Sequence, residues 1–222
     1  STRVRSSAAS DVYKRQLKHL PESKAVLTGS PIRQELFSGN KEEGLRLCGF
    51  DDSKPVLLVM GGSLGAVAIN NSIRENLNEL LKQFQIIHLC GRGHYDASLD
   101  GTKGYKQFEY AKKELTHLFA ATDLIISRAG ANAICELLAL KKPNILIPLP
   151  ASQSRGDQLL NADSFEKSGY SYVLQEEELT SNTLLKAVQY VYDEREEYIQ
   201  TLKESKLNRA IPIIMNLIKK YS

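Results

Sequence analysis

Tryptophan is absent from the 222 residues, and there are only three cysteines. No apolar run approaches the ~18–20 residues that a membrane-spanning helix needs. Nothing at the amino end reads as a secretory leader. The chain also lacks a strong charge of either sign: its net charge is +3, and no basic block is interleaved with aromatic residues. That argues against a nucleic-acid partner. Cys48, Cys90 and Cys135 lack metal-ligand spacing and sit in apolar or helical contexts. They read as buried free thiols of a reducing compartment, and no metal site is expected. What remains, 42% hydrophobic and 25% charged residues, is ordinary for a soluble globular protein, with length for one large or two small domains. Residues 1–16 are polar, rich in Ser and Arg, and without a sustained apolar period; they read as a disordered tail or as sequence foreign to the fold.

The most informative stretch is DLIISRAGANAICE, Asp123 to Glu136. An apolar run ends in Ser127 and Arg128, the small residues Ala129, Gly130 and Ala131 follow, and a helical apolar spacing then begins at Ile134. The order is strand, tight loop, helix, with Asn132 as the expected N-cap. Small residues let a ligand approach the backbone, and the free N–H groups of a first helical turn suit phosphate or ribose. Glu136 is expected in that first turn. A carboxylate there repels phosphate, so its functional partner would be a neutral ribose diol; its other reading is plain complementation of the helix dipole.

A second strand-loop-helix follows Pro55 to Met60, through GGSLGA (61–66) into a helix expected from Val67 to Phe84. Ser63 stands where a GxGxxG motif has its second glycine, and no Lys-Ser/Thr pair follows. NAD and ATP are therefore poorly matched; an anion cradle and a simple tight turn both fit. Further strands are expected at Lys24–Thr28, Gln85–Cys90, Tyr105–Phe108, Asn144–Leu149 and Ser171–Gln175, and helices at Lys41–Cys48, Glu114–Ala121, from Asp157, Thr180–Asp193 and Glu194–Lys206. Pro31 suits the first turn of a short helix, and Arg33 beside it could reach a phosphate. Asp157, Gln158 and Asn161 open a helix after the polar loop ASQSRG (151–156), where they could read sugar hydroxyls or simply cap and solvate it. Pro212 opens or interrupts a last amphipathic helix bearing Ile213, Ile214, Leu217, Ile218 and Tyr221. Alternation of strands and helices from Lys24 to Gln175 predicts an α/β fold, a parallel sheet with helices on both faces. Its ligand would lie beyond the carboxyl ends of the strands, where the loops at Gly61, Gly91, Gly130 and Arg155 open.

Five segments carry a resemblance: TGSPIR (28–33), GGSLGA (61–66), HLCGRG (88–93), SRAGANAICE (127–136) and SRGDQLLNA (154–162). In this order and spacing the chain, from about Leu17 to its end, resembles the carboxyl-terminal half of the MurG family. These are bacterial N-acetylglucosaminyltransferases that complete the lipid-linked peptidoglycan precursor. The resemblance implies a Rossmann-like fold, the donor-binding half of a GT-B glycosyltransferase, over residues 17–222. It implies UDP-N-acetylglucosamine as donor and no cofactor. By similarity Arg33, Ser63 and the backbone of Gly62 and Gly65 meet the diphosphate. Gly130 and Ala131 line the nucleotide pocket, Glu136 takes the ribose hydroxyls, and backbone near Tyr110 and Ala111 meets the uracil. Asp157, Gln158 and Asn161 read the sugar, although the family often has glutamine at the position of Asp157. The acceptor is a lipid-linked muramyl-pentapeptide, worked on peripherally at the cytoplasmic face of the cell membrane. The acceptor site and general base are expected in an amino-terminal half, so the chain alone is expected to bind donor without turning over. His88 and His94 are assigned no catalytic role. The competing readings are another GT-B enzyme, such as a glycolipid synthase or a UDP-sugar 2-epimerase, and a stand-alone nucleotide-sugar binding module.

Overall fold

A computed structural model describes residues 30–62, 65–154, 156–205 and 210–221. The expected strand Lys24–Thr28, residues 1–16, Ser63 and Arg155 lie outside the described residues. Among the described residues six strands form one sheet: β1 (Val56–Met60), β2 (Gln85–Leu89), β3 (Tyr105–Phe108), β4 (Leu124–Ser127), β5 (Asn144–Leu146) and β6 (Tyr172–Val173). Their order is β3-β2-β1-β4-β5-β6, and every pairing is parallel. The helices are α1 (Lys41–Cys48), α2 (Val67–Glu75), α3 (Leu77–Gln83), α4 (Leu115–Ala121), α5 (Ala131–Leu140), α6 (Asp157–Lys167), α7 (Ser181–Asp193), α8 (Arg195–Glu204) and α9 (Ala210–Tyr221). The expected α/β architecture is thus present.

The strands are apolar on both faces because helices cover both. Val56 and Leu58 of β1 and Ile125 of β4 join one core with Leu45, Leu118, Phe119, Ile134, Leu137 and Phe165. Their neighbours Leu57, Val59, Leu124 and Ile126 join the opposite core with Ile69, Ile73, Leu80, Leu184 and Val188. Period-2 alternation thus sends successive side chains of one strand to α1, α4, α5 and α6 on one side and to α2, α3 and α7 on the other.

Five local expectations need correction. The helix expected over Val67–Phe84 is two helices, because buried Asn76 donates from Nδ2 to the Ser72 carbonyl at 2.7 Å and diverts the backbone. The strand expected to reach Leu149 ends at Leu146, with a last bond from the Ile147 N–H to the Ser127 carbonyl at 2.8 Å just before Pro148, which has no N–H to donate. Gly130, not Asn132, is the N-cap of α5, because it takes the extended backbone and Asn132 is already helical. Glu136 therefore lies in the second turn, and the first turn holds no acidic residue. Pro31 precedes the short 3-10 turn Gln34–Phe37 rather than sitting in it, since Arg33 is that turn's N-cap.

Helices α1 and α4 approach so closely that Gly44 has no room for a side chain. A Cβ there would lie 2.2 Å from the His117 carbonyl oxygen and 2.8 Å from the Ala121 Cβ. Gly→Ala in a helix ordinarily stabilises by ~1 kcal/mol. Here Gly44→Ala is expected to destabilise by about 1–3 kcal/mol through overpacking, read as a lower urea midpoint with an unchanged slope.

Candidate functional site

The strand order reverses between β1 and β4. Register pairs Met60 with Ser127, so the loops that open at Gly61 and at Arg128 leave the sheet side by side. The helix after β1 packs on one face and the helix after β4 on the other. A crevice opens at such a point, beyond the carboxyl ends of the strands.

Three helices begin without a side-chain cap, α2 and α5 on these loops and α6 after the loop that follows β5. Their N-caps are Ala66 for α2, Gly130 for α5 and Gly156 for α6, and none accepts a backbone N–H with its side chain. By contrast, Asn40 caps α1, and Thr180 with Thr183 forms a capping box on α7. Asp157, expected as a possible cap of α6, is its first helical residue and is exposed. Unclaimed N–H groups at a helix start seek an acceptor and carry partial positive charge. An anion satisfies both demands.

Arg33 and Glu136, 103 residues apart, meet here: Arg33 Nη2 donates to Glu136 Oε1 at 3.1 Å. Arg33 is two-thirds exposed and Glu136 largely buried, with side-chain exposures of 66% and 17%. Arg33, Gly62 and Ala111 line one cleft of about 680 Å³, floored by Met60 and Leu89 and bordered by Tyr110. Gly62 and Gly65 both have positive φ, 88° and 76°, which only glycine adopts without strain. Gly130 and Ala131 stand half-buried at the start of α5, one turn ahead of Glu136.

Asn161 is fully buried and donates from Nδ2 to the Ala129 carbonyl at 3.0 Å, fastening α6 under the Gly130 loop. Gln158 accepts from the Leu149 N–H at 3.1 Å through Oε1. Asp157, Gln158 and Asn161 do not line the 680 Å³ cleft; they adjoin the neighbouring Gly130 loop through Asn161. Three participants escaped the sequence reading. Arg128, though beside the loop, turns inward to a buried ion pair with Glu176 and donates to the Ile147 and Pro148 carbonyls. Lys112 and Glu109 line the cleft beside Ala111. The run Glu109-Tyr110-Ala111-Lys112, an aromatic between opposite charges just after the β3 segment, was the available signal for them.

The profile of the glycosyltransferase family 28 C-terminal domain matches residues 56–217. The chain belongs to that family. The similar curated proteins include two named UDP-N-acetylglucosamine–N-acetylmuramyl-(pentapeptide) pyrophosphoryl-undecaprenol N-acetylglucosamine transferase. The one from Lachnoclostridium phytofermentans is 60% identical over 203 residues, covering 91% of this chain and 57% of the relative. The one from Clostridium botulinum is 56% identical over 210 residues, covering 95% and 59%. The chain therefore spans a little under three-fifths of these relatives' length. Acinetobacter baumannii MurG shares the fold, with a TM-score of 0.68 at 23% identity over 90% of this chain and 57% of that one. This family 28 domain is thus a Rossmann-like α/β unit of the kind found in glycosyltransferases.

His88 and His94, to which no catalytic role was assigned, differ in burial. His88 is fully buried in β2, and burial, helped by the Arg74 charge, pushes its imidazole down to about 3 from an ordinary 6.5. The folded state thus resists a proton that the unfolded chain accepts. Its contribution to stability is complete above about pH 6.5 and is lost as pH falls toward 3, at about 1.4 kcal/mol per pH unit. Urea unfolding between pH 7 and 4 is expected to show a shallower pH slope in His88→Gln than in the parent chain.

Proposed function

We propose that this chain binds UDP-N-acetylglucosamine and serves the transfer of N-acetylglucosamine to a lipid-linked muramyl-pentapeptide. The observation that carries the reading is the 56–60% identity, over 91–95% of the chain, to relatives bearing that activity in their name. The geometry supports it. The uncapped starts of α2 and α5 supply backbone N–H groups for a diphosphate, with Gly62 and Gly65 allowing close approach. In this reading Ser63 joins the same contact, and the backbone at Ala111 meets the base in the cleft.

Arg33 and Glu136 exchange partners when the donor arrives. The pair is partly exposed, so opening it costs only about 0–1 kcal/mol. Arg33 then turns to the diphosphate and Glu136 accepts the ribose hydroxyls. The position of Glu136 one turn inside α5 suits this division, since the carboxylate is withdrawn from the helix tip that holds the anion. Gly130 and Ala131 let the nucleotide reach that tip. Asp157 and Gln158 take the sugar, with Asn161 beneath them. In the transfer, the acceptor hydroxyl attacks the anomeric carbon and gives its proton to the general base expected outside this chain, the bond to the diphosphate breaks, and charge accumulates on departing UDP. Donors already aimed at that charge lower the barrier without reorganising.

The acceptor is assigned to the part of the relatives that this chain does not span. The site of action is assigned to the cytoplasmic face of the cell membrane, held peripherally; the undecaprenol in the relatives' name supports a membrane-borne acceptor. Among the described residues no helix is long and apolar enough to cross a membrane.

Thermal-shift titration tests the donor assignment. UDP-N-acetylglucosamine and UDP should raise the midpoint, by the equivalent of ~2.7 kcal/mol at a hundredfold excess over Kd. Stabilisation by NAD and not by UDP would overturn the reading, and preference for UDP-glucose would redirect it to another sugar-nucleotide enzyme. Glu136→Ala is expected to weaken UDP and uridine alike by about 10–100-fold, the scale of a hydrogen bond to a charged group. Arg33→Ala should weaken UDP and leave uridine nearly unchanged, in calorimetric titrations of each ligand.

A further inference from the structure

A buried polar chain runs beneath the glycine loop and takes no part in the ligand contacts above. Tyr105 of β3, His88 of β2 and Asn70 of α2 are all buried, the last two at 0% and 1% exposure. The His88 imidazole lies 2.7 Å from the Tyr105 hydroxyl through Nδ1 and 2.9 Å from Asn70 Oδ1 through Nε2. Asn70 Nδ2 donates to the Cys90 carbonyl at 2.8 Å. That last bond sets the direction of the others. With Nδ2 committed to a carbonyl, Oδ1 faces His88 and accepts, so Nε2 carries the ring proton. Nδ1 is then an acceptor, and the Tyr105 hydroxyl donates to it. Burial and the Arg74 charge both favour the neutral ring.

The Cys90 carbonyl is where this chain meets the loop. The Cys90 N–H continues the ladder to the Phe108 carbonyl at 3.0 Å, but the Cys90 oxygen lies past the end of β2. Gly65 rests directly on it: a Cβ at Gly65 would fall 2.3 Å from that oxygen. Gly65 also closes the turn by donating to the Gly62 carbonyl at 3.0 Å, and α2 starts two residues later. Burying a tyrosine, a histidine and an asparagine between sheet and helix gains little stability over apolar residues of the same shape. A satisfied network instead specifies one arrangement.

We propose that Asn70, His88 and Tyr105 are positioning residues that hold the Cys90 carbonyl against Gly65 and so set the placement of the diphosphate-binding loop. The ligand in this statement rests on the donor reading above; the effect on the loop does not.

The test compares the full chain with Tyr105→Phe, which removes one oxygen and keeps the ring, and with the apolar triple variant Asn70→Leu/His88→Leu/Tyr105→Phe. Nitrogen-15 spectra of the parent should show His88 as the Nε2–H tautomer, neutral at pH 6. In both variants the Gly62, Gly65 and Ala66 amide signals should shift, and Gly65 N–H exchange should quicken at least tenfold. Exchange at Ile125 and Ile126 should stay within twofold. The UDP Kd should rise tenfold or more, with the uridine Kd within twofold of the parent. An unshifted Gly65 amide in a folded variant, or an Nδ1–H tautomer in the parent, overturns the positioning role. A shifted Gly65 amide with UDP and uridine weakened equally overturns its link to the diphosphate. A shifted amide in a chain whose parent does not bind UDP upholds the positioning and overturns the donor reading alone.

Discussion

The proposed donor crevice depends on two parallel strands, β1 and β4, lying side by side while the chain leaves them for opposite faces of the sheet. Ile69 and Ile73 of α2 join Leu57 and Val59 on one side. Ile134 and Leu137 of α5 join Leu58 and Ile125 on the other. Hydrophobic burial thus holds the two helices apart at their starts, and neither can cover the other's N-terminus. The loops must also turn sharply within a few residues. This requirement is met by Gly62 and Gly65 with positive φ and by the small Ala129–Gly130–Ala131 run.

The charges around the crevice follow from the same layout. Arg128 is placed by sequence at its mouth, yet its guanidinium is buried against Glu176 and the Ile147 and Pro148 carbonyls. A buried cation needs such a partner set, since stripping its water is otherwise costly. Its charge is spent on joining β4 to the segment after β6. Arg33 lies outside the sheet, at the N-cap of the Gln34–Phe37 turn, and stays largely exposed, so it can move without a comparable desolvation cost. Adjacency in sequence to the candidate loop is therefore a poor guide to which arginine keeps its guanidinium exposed.

The parts of the fold that were legible are those governed by periodicity. The bare apolar runs at Val56–Val59 and Leu124–Ile126 announced strands buried on both faces, and Tyr105–Phe108 fell where expected. Boundaries set by one side chain were not legible. A helix breaks at Asn76, whose side chain bonds the Ser72 carbonyl, and Gly130 displaces Asn132 as cap, which puts Glu136 two residues further into the helix. Of the expected site residues, Arg33 and Glu136 are brought into contact across 103 positions, and Arg33, Gly62 and Ala111 share a cleft. Asn161 could not be read correctly from helical spacing alone. The i,i+4 rule places it on the face of Asp157, but burial against Ala129 follows from how α6 docks, which a pattern along one helix does not contain.

Asn161 and Asn70 answer the same physical problem. A strand that ends in a ligand loop leaves its last carbonyls past the ladder, because the next residues have turned away from the neighbouring strand. The Ala129 and Cys90 oxygens are in this position, beyond β4 and β2. Water would satisfy them in an open loop, but these are covered by helices, and an unmet buried carbonyl costs about 1–3 kcal/mol. In each case a buried asparagine on a helix supplies the missing donor, at 3.0 Å and 2.8 Å. A backbone amide could not do so, since those of a helix interior are already committed. The result is that two loops built from small, conformationally free residues are anchored at their feet by side chains that need never touch a ligand. Freedom at the tip, needed for close approach, is thereby compatible with a fixed origin, and the precision of the crevice is set one layer below the residues that line it.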